Sequence, residues 1–301
     1  MKMMIFYFSG TGNTELVTNK LTESLIEKGN NVDTFKIEDH LFGDISVKDF
    51  IKVGTEDGTE VIDYIGLGFP IYGFMPPRVI FEFFKKILTP MLKELKNIPE
   101  FFIFSTCAGP AYFNDIAHFR LKKSIQSIGG KVIYERQFYM PANLFYAYPE
   151  DVNILLVDAS MKKAEKMAGE LTSGWKSVRN DKVLPYMFGW IYGLEHLAWK
   201  SVNKYFKITK DCTSCGKCLE SCPAQNISLK EGMPIFGKNC YVCLRCVYGC
   251  PEKAIGFGKY DFAIFKEGYS IKDFLDKKPS KELTSLQKGI LKSLRKYVSE
   301  I

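Results

Sequence analysis

The stretch FYFSGTGNTE, residues 6–15, connects the end of an apolar run to the start of a helical pattern. Residues 2–9 have the length and composition of a buried strand, and residues 14–28 repeat apolar side chains at helical spacing. The loop between them contains glycines and hydroxyl residues, and it leads into a helix N-terminus, where backbone N–H groups attract anions. The stretch therefore predicts a strand, an anion-binding loop and a helix.

Two common nucleotide-binding motifs are excluded by the residues of this loop. A P-loop requires Gly-x4-Gly-Lys-Ser/Thr, and the loop contains no lysine. A dinucleotide-binding loop requires a third glycine, and Glu15 stands where that glycine would be. The anion itself, such as a free phosphate or a flavin phosphate, is left open by these ten residues.

Residues 2–140 alternate between strand-like and helix-like segments, which predicts a parallel sheet with helices on both faces. We expect strands over residues 2–9, 32–37, 61–69, 101–106 and 131–138, and helices over residues 14–28, 77–95 and 111–128. Residues 69–77 follow the third strand and residues 105–112 the fourth, so both loops belong to the same edge of the sheet as the first loop. Tyr72 and Phe74 supply aromatic rings there that could stack on a planar ligand, although ordinary core packing is the alternative.

The first loop resembles the phosphate loop of the flavodoxin family, Thr/Ser-x-Thr/Ser-Gly-x-Thr. This resemblance implies a flavodoxin-like five-stranded parallel sheet of order 2-1-3-4-5, with FMN bound at the carboxyl ends of the strands. The predicted FMN-binding residues are Ser9, Gly10, Thr11, Gly12, Asn13, Thr14, Pro70, Ile71, Tyr72, Gly73, Phe74, Thr106, Cys107, Ala108, Gly109 and Tyr112.

Eight of the nine cysteines lie between Cys212 and Cys250, and their order favours metal ligation over disulfides. Two runs have the form Cys-x2-Cys-x2-Cys-x3-Cys-Pro, the spacing of two-cluster ferredoxins, in which the fourth cysteine ligates the other cluster. The spacing therefore predicts one [4Fe–4S] cluster on Cys212, Cys215, Cys218 and Cys250, and another on Cys240, Cys243, Cys246 and Cys222. Zinc is the alternative, but zinc sites do not use a third cysteine at the same step followed by Cys-Pro.

Residues 208–256 resemble the two-cluster bacterial ferredoxin family, which implies a small α+β domain. Residues 1–262 together resemble the flavodoxin–ferredoxin fusion proteins of anaerobic bacteria and archaea. This resemblance implies FMN, two [4Fe–4S] clusters and low-potential electron transfer with a redox protein partner, such as a ferredoxin or an oxidoreductase. A flavoenzyme that reduces a small molecule at the FMN is the alternative function, and a cluster-based redox sensor is a weaker one.

The chain is expected to divide into an FMN-binding domain (1–180), an aromatic helical linker (181–206), the cluster domain (207–262) and a basic helical tail (263–301). The linker favours a bridging segment, with a homodimer contact as the alternative. The tail favours a solvated helical face, with a docking surface as the alternative.

The length of 301 residues and a charged fraction of 25% are those of an ordinary globular protein. A net charge of +7 without a long basic run does not indicate nucleic-acid binding. No uncharged apolar run reaches the roughly 18 residues of a membrane span, and the N-terminus lacks a secretory pattern, so we expect a cytoplasmic protein. Cys107 is expected to be a small apolar loop residue, and the histidines form no catalytic motif.

Overall fold

A computed structural model describes residues 1–42, 61–109, 114–179, 202–275, 277–278 and 290–300. The first domain contains β1 (Lys2–Tyr7), α1 (Asn13–Glu27), β2 (Asn31–Lys36), α2 (Ile37–Leu41), β3 (Tyr64–Pro70), α3 (Arg78–Phe83), a π-helical turn (Phe84–Leu88), α4 (Thr89–Glu94), β4 (Glu100–Cys107), α5 (Asp115–Ser127), β5 (Lys131–Tyr139) and α6 (Glu150–Thr172).

The five strands form one parallel sheet in the order β2-β1-β3-β4-β5. The register places Met3 beside both Val32 and Tyr64, so β1 is an interior strand with β2 on one side and β3 on the other. This is the flavodoxin-like order, and the prediction of the fold is confirmed.

Alternate residues of β1 enter two separate cores, because successive side chains of a strand point to opposite faces of the sheet. Met3 and Ile5 pack with α1 and α6, whereas Met4, Phe6 and Phe8 pack with the helices on the other face. All five side chains are fully buried. Burial on both faces explains why β1 reads as a continuous apolar run.

Two glycines of β3 make room for large side chains of the neighbouring strand. A Cβ at Gly66 would overlap the ring of Phe102, and a Cβ at Gly68 would overlap the ring of Phe104. Both rings are fully buried, and burial of such a ring stabilises the fold by about 1.5–3 kcal/mol.

The helix expected over residues 77–95 is interrupted by the π-helical turn between α3 and α4. Pro90 follows this turn and has no N–H to donate to the preceding carbonyls. Apolar periodicity reports which face is buried but not a change of helix type, so the sequence pattern did not predict the wide turn.

The second domain is small and mixes short strands with single helical turns. Its elements are β6 (Lys207–Ile208), α7 (Lys217–Glu220), β7 (Ile227–Lys230), β8 (Met233–Phe236), α8 (Arg245–Tyr248) and β9 (Ile255–Gly256). β6 pairs with β9 and β7 with β8, both antiparallel. Val202 and Phe206, the last part of the expected linker, pack in the core of this domain, and residues 180–201 lie outside the described residues.

The chain then returns to the first domain. Residues Ile271–Phe274 form a 3₁₀ turn, and α9 (Ile290–Ser299) follows. Leu294, Tyr297 and Val298 of α9 are buried against α6, so this helix is not solvated on all sides. In the parts of the chain that the structure describes, no helix is long and apolar enough to cross a bilayer.

Candidate functional site

The loop between β1 and α1 presents unpaired backbone donors at the carboxyl edge of the sheet. Gly12 has φ of 97°, a left-handed conformation that favours glycine, and its carbonyl accepts from the Leu16 N–H at 2.9 Å. Within the described residues, the N–H groups of residues 10–14 have no protein acceptor. These donors and the N-terminus of α1 make an anion-binding concavity.

Two hydroxyl groups of this loop are oriented by protein donors. The Glu15 N–H donates to Ser9 Oγ at 3.2 Å, and Asn143 Nδ2 donates to Thr11 Oγ1 at 2.7 Å. Because both oxygens already accept a hydrogen bond, their own O–H groups stay available to donate to an anion. This donor set fits a phosphate group.

The loop after β3 contains a tight turn with two left-handed residues. Tyr72 and Met75 exchange two backbone hydrogen bonds of 3.0 Å, and the residues between them have φ of 52° (Gly73) and 65° (Phe74). Two successive positive φ angles are typical of a type I′ turn. The second is costly for an aromatic residue, and such strain is concentrated at functional sites.

The loops after β1, β3, β4 and β5 surround one open cavity, here called the strand-edge cavity. Of the predicted FMN-binding residues, all but Gly12 and Tyr112 line it. Gly12 lies against the side chain of Ile271 instead, and Tyr112 is outside the described residues. The sequence-based prediction did not include the remaining lining residues: Asn114, Pro141, Ala142, Asn143, Leu144, Phe145, Tyr148, Val242 and Leu244.

The described lining of the strand-edge cavity carries no charged side chain and no histidine. Burial raises the pKa of the Cys107 thiol to about 12, and the thiol donates to the Phe138 carbonyl. Burial likewise raises the pKa of Tyr148 to about 12. Cys107 is therefore a neutral thiol at neutral pH, as expected for an unreactive cysteine.

One histidine belongs to a buried network below this cavity. His118 lies 2.7 Å from Ser105 Oγ and 3.1 Å from a Glu135 oxygen, and Lys122 binds the other Glu135 oxygen at 2.9 Å. Burial lowers the pKa of His118, so the neutral ring accepts from Ser105 and donates to Glu135. Ser105 is fully buried and cannot meet a substrate, so this network is structural.

The eight clustered cysteines converge in two separate sets. One cavity, here called site I, is lined by Cys212, Cys215, Cys218 and Cys250. Another, here called site II, is lined by Cys222, Cys240, Cys243 and Cys246. In each set the fourth cysteine comes from the other run, which is the pairing that the spacing predicts.

The two cysteine runs also share an unusual backbone. Left-handed φ angles occur at equivalent positions of both: Ser214 and Val242, Gly216 and Leu244, and Gln225 and Lys253. A β-branched residue with φ of 55°, as at Val242, is a genuine outlier. This backbone directs N–H groups toward sulfur, with 3.3 Å bonds to the Sγ atoms of Cys222, Cys240 and Cys250. Such bonds stabilise thiolate ligands, so the donor set fits iron–sulfur clusters.

Site II lies directly against the strand-edge cavity. Leu244 lines both cavities, and Val242 lines the larger one. A Cβ at Gly10 would lie 2.7 Å from the carbonyl oxygen of Cys243 and would overlap the Tyr72 hydroxyl oxygen. The anion-binding loop and a site II ligand are therefore in contact.

Arg245, between two site II cysteines, connects the domains. Its guanidinium donates to the Ser9 carbonyl at 2.6 Å and the Gly10 carbonyl at 3.3 Å, and it pairs with Glu38 at 2.6 Å. Burial raises the pKa of Glu38, and Arg245 opposes that shift by favouring the charged carboxylate. The loop before Arg245 is held in addition by Tyr241, whose hydroxyl donates to Glu82 at 2.6 Å.

Site I is the more accessible set. Cys215 is exposed, whereas Cys243 and Cys246 of site II are buried. Two different environments therefore result from two nearly repeated sequences.

Two parts of the chain are similar to known proteins. Residues 211–255 match the family model of the 4Fe-4S dicluster domain. The comparison with curated proteins gave no match. Among solved structures, a flavodoxin from the domain Archaea is 11% identical over 58% of this chain and 98% of that chain, with a TM-score of 0.40.

Two further flavodoxins match similar shares of this chain. The Megasphaera elsdenii flavodoxin is 23% identical over 55% of this chain and 98% of its own, with a TM-score of 0.35. Flavodoxin 2 from Bacillus cereus is 16% identical over 58% of this chain and 100% of its own, with a TM-score of 0.39. The strand order and the matched residues, rather than these scores, establish the architecture. The chain joins a flavodoxin-like α/β domain to residues that match the 4Fe-4S dicluster domain, which is the arrangement that the sequence predicts.

Proposed function

We propose that this protein is an electron carrier that holds FMN in the strand-edge cavity and a [4Fe–4S] cluster at each of sites I and II. FMN supplies one- and two-electron chemistry, and the clusters supply one-electron transfer. The observation that carries the proposal is the wall shared by site II and the strand-edge cavity, formed at Leu244.

The residues of the cavity have separable roles in this proposal. The N–H groups of residues 10–14 and the hydroxyls of Ser9 and Thr11 hold the phosphate. The turn at residues 72–74 and the loop at residues 106–109 hold the ring, because both line the cavity together with the anion-binding loop. Arg245 keeps site II against the anion-binding loop.

The geometry supports an order for electron transfer. The exposed Cys215 makes site I the contact point for a one-electron redox protein, such as a ferredoxin or an oxidoreductase. Site II connects site I to the strand-edge cavity, since the two sites exchange their fourth cysteines. Electrons therefore pass from the partner through site I and site II to FMN, or in the reverse direction.

The alternative function is reduction of a small molecule at the FMN. Such an enzyme needs a proton donor at the cavity, and the described lining offers Cys107, Tyr72 and Tyr148, whose pKa values are all raised by burial. An uncharged lining favours the carrier. The homodimer proposed from residues 181–206 concerns residues that lie almost entirely outside the described chain.

Anaerobic purification and assay of flavin, iron and sulfide test the cofactors. We expect about eight irons and one FMN per chain. Zinc in place of iron, or the absence of flavin after reconstitution with FMN, would disprove the proposed function.

The order of transfer is tested with ligand variants and a reduced ferredoxin as donor. Cys215→Ala, at site I, and Cys243→Ala, at site II, should each slow reduction of the flavin, followed by its absorbance in a stopped-flow instrument. The exposed Ser228→Ala is the control. If Cys243→Ala reduced its flavin as fast as the wild type, electrons would bypass site II and the order would be wrong.

A further inference from the structure

The C-terminal strap is defined as residues 263–275 together with α9, and it follows both domains in sequence. Its described residues do not line the strand-edge cavity, but they contact two of the loops that do. Neither the flavodoxin-like sheet nor the cysteine runs account for these contacts, which all come from the last 39 residues of the chain.

The first part of the strap packs on the anion-binding loop. The Tyr269 hydroxyl donates to Asn13 Oδ1 at 2.5 Å and lies 3.4 Å from the Pro141 carbonyl. The buried side chain of Ile271 approaches Gly12, where a Cβ would lie 2.7 Å from Ile271 Cγ2. The strap therefore occupies the space beside Gly12 and fixes the amide of Asn13.

The second part of the strap packs on the loop after β4. Leu294 is fully buried, and its Cδ2 lies 3.3 Å from the position of a Cβ at Gly109. Tyr148 packs in the same apolar cluster and donates to the Ala108 carbonyl at 2.5 Å. Residues 108–109 are thus held between Tyr148 and α9.

Polar contacts attach α9 to the first domain. The Tyr297 hydroxyl lies 2.8 Å from Ser160 Oγ, and its ring centroid lies 4.3 Å from that of Tyr139. Lys163 donates to the Glu300 carbonyl at 2.8 Å. Tyr139 pairs with Cys107 in the sheet, so this attachment is made next to the loop that Leu294 supports.

We propose that the strap completes the flavin-binding site, with Tyr269 and Leu294 as positioning residues for the two loops that receive the phosphate and the ring of FMN. The proposal rests on the proposed function for the identity of the ligand. The mechanical part, that the strap orders residues 9–14 and 105–109, rests on the contacts alone.

The test compares full-length Tyr269→Phe and Leu294→Ala with matched controls. Tyr260→Phe is the control for the tyrosine, because Tyr260 lies in the cluster domain and outside the cavity lining. Leu171→Ala is the control for the leucine, because Leu171 is equally buried but lies at the C-terminal end of α6. Leu294 packs on the N-terminal part of the same helix. FMN dissociation constants, the FMN reduction potential and amide hydrogen exchange are measured for each.

We expect the loss of one hydrogen bond in Tyr269→Phe to weaken FMN binding roughly fivefold. We expect Leu294→Ala to weaken it roughly tenfold or more, because the cavity that it leaves lets the loop relax. Both variants should shift the reduction potential and keep the iron content of the wild type. Hydrogen exchange should become faster in residues 9–14 for Tyr269→Phe and in residues 105–109 for Leu294→Ala.

Two outcomes overturn the proposal: unchanged hydrogen exchange in both loops, or an effect on FMN no larger than that of Tyr260→Phe and Leu171→Ala. Failure of the proposed function is seen separately, in a wild-type protein that binds no FMN. In that case hydrogen exchange at Glu15 and Leu16, whose N–H groups donate to Ser9 Oγ and the Gly12 carbonyl, still decides whether the strap orders this loop.

Discussion

The carbonyl oxygen of Cys243 lies 2.7 Å from the position that a Cβ at Gly10 would occupy. The two residues are 233 positions apart in the chain, and each belongs to a different domain. Their contact brings a cluster ligand to the anion-binding loop, and it leaves no room for any side chain at residue 10.

Gly10→Ala should therefore disturb both the cavity and the contact between domains. The added methyl group must displace the Cys243 backbone or the Tyr72 hydroxyl, and such overpacking costs about 1–3 kcal/mol. We expect weaker FMN binding and slower electron exchange between site II and the flavin, measured by fluorescence titration and stopped-flow absorbance. Gly169→Ala is the control, because the nearest atom there is 3.7 Å away, at the flexible end of Lys28. If Gly10→Ala bound FMN and reduced its flavin as well as Gly169→Ala did, the contact between Gly10 and Cys243 would be contradicted.

Arg245→Met should weaken the contact between the domains, because it leaves the buried Glu38 carboxylate without its partner. Breaking a fully buried ion pair on one side costs about 3–5 kcal/mol, and the cost here should be smaller because Arg245 is 29% exposed. We expect a lower urea midpoint and slower reduction of the flavin through site II. The double variant Arg245→Met/Glu38→Gln should recover part of the stability, since no unpaired charge remains.

The exposed pair of Lys162 and Asp158 provides the control for that experiment. Lys162→Met should change stability by less than about 1 kcal/mol, as is usual for surface pairs. If Arg245→Met and Lys162→Met lowered the free energy of unfolding by a similar amount, Arg245 would have no special role between the domains.

The sequence predicted those parts of the site that follow from local pattern and topology. The loops at residues 9–14, 70–74 and 106–109 follow parallel strands, and parallel strands bring their carboxyl ends to one edge. The same rule applies to residues 141–148 after β5, but this segment has no glycine motif and was not predicted. The two crossed cysteine sets were predicted from spacing, because a fixed cluster geometry dictates that spacing.

The contacts between distant segments could not be predicted in this way. Arg245 meets Ser9, and Tyr269 meets Asn13, only because the small domain and the strap fold back on the sheet. No periodicity or motif encodes such a contact, since it depends on how complete elements pack. The basic composition of residues 263–301 favoured a solvated tail, whereas three apolar side chains of α9 are buried.

Glu135→Gln should destabilise the first domain in a pH-dependent way. Burial acts to raise the pKa of Glu135, but the hydrogen bonds from His118 and Lys122 and the charge of Lys122 outweigh it and lower that pKa below its ordinary value. A carboxylate with a lowered pKa stabilises the fold at neutral pH, and this contribution is lost as the pH falls through the lowered pKa. We expect a loss of about 3 kcal/mol at pH 7, because the substitution breaks the buried ion pair between Glu135 and Lys122 on one side.

Urea unfolding at several pH values measures this effect. The difference between wild type and Glu135→Gln should be largest at neutral pH and should shrink in acid, where the wild-type carboxylate becomes protonated. A difference that did not change with pH would show that the packing of residue 135, rather than its charge, is responsible.

Cys222→Ala and Cys250→Ala separate the crossed arrangement of ligands from an arrangement within each run. Cys222 follows the first three cysteines in sequence but lines site II, and Cys250 follows the second three but lines site I. Cys222→Ala should therefore abolish or alter the cluster at site II and keep the exposed site I cluster, while Cys250→Ala should do the reverse. Electron paramagnetic resonance of the reduced variants identifies the remaining cluster, because only a cluster at site II can couple closely to the flavin through the wall at Leu244. If Cys222→Ala instead kept the cluster that couples to the flavin, the crossed pairing would be wrong, and with it the path from the exposed Cys215 to the cavity.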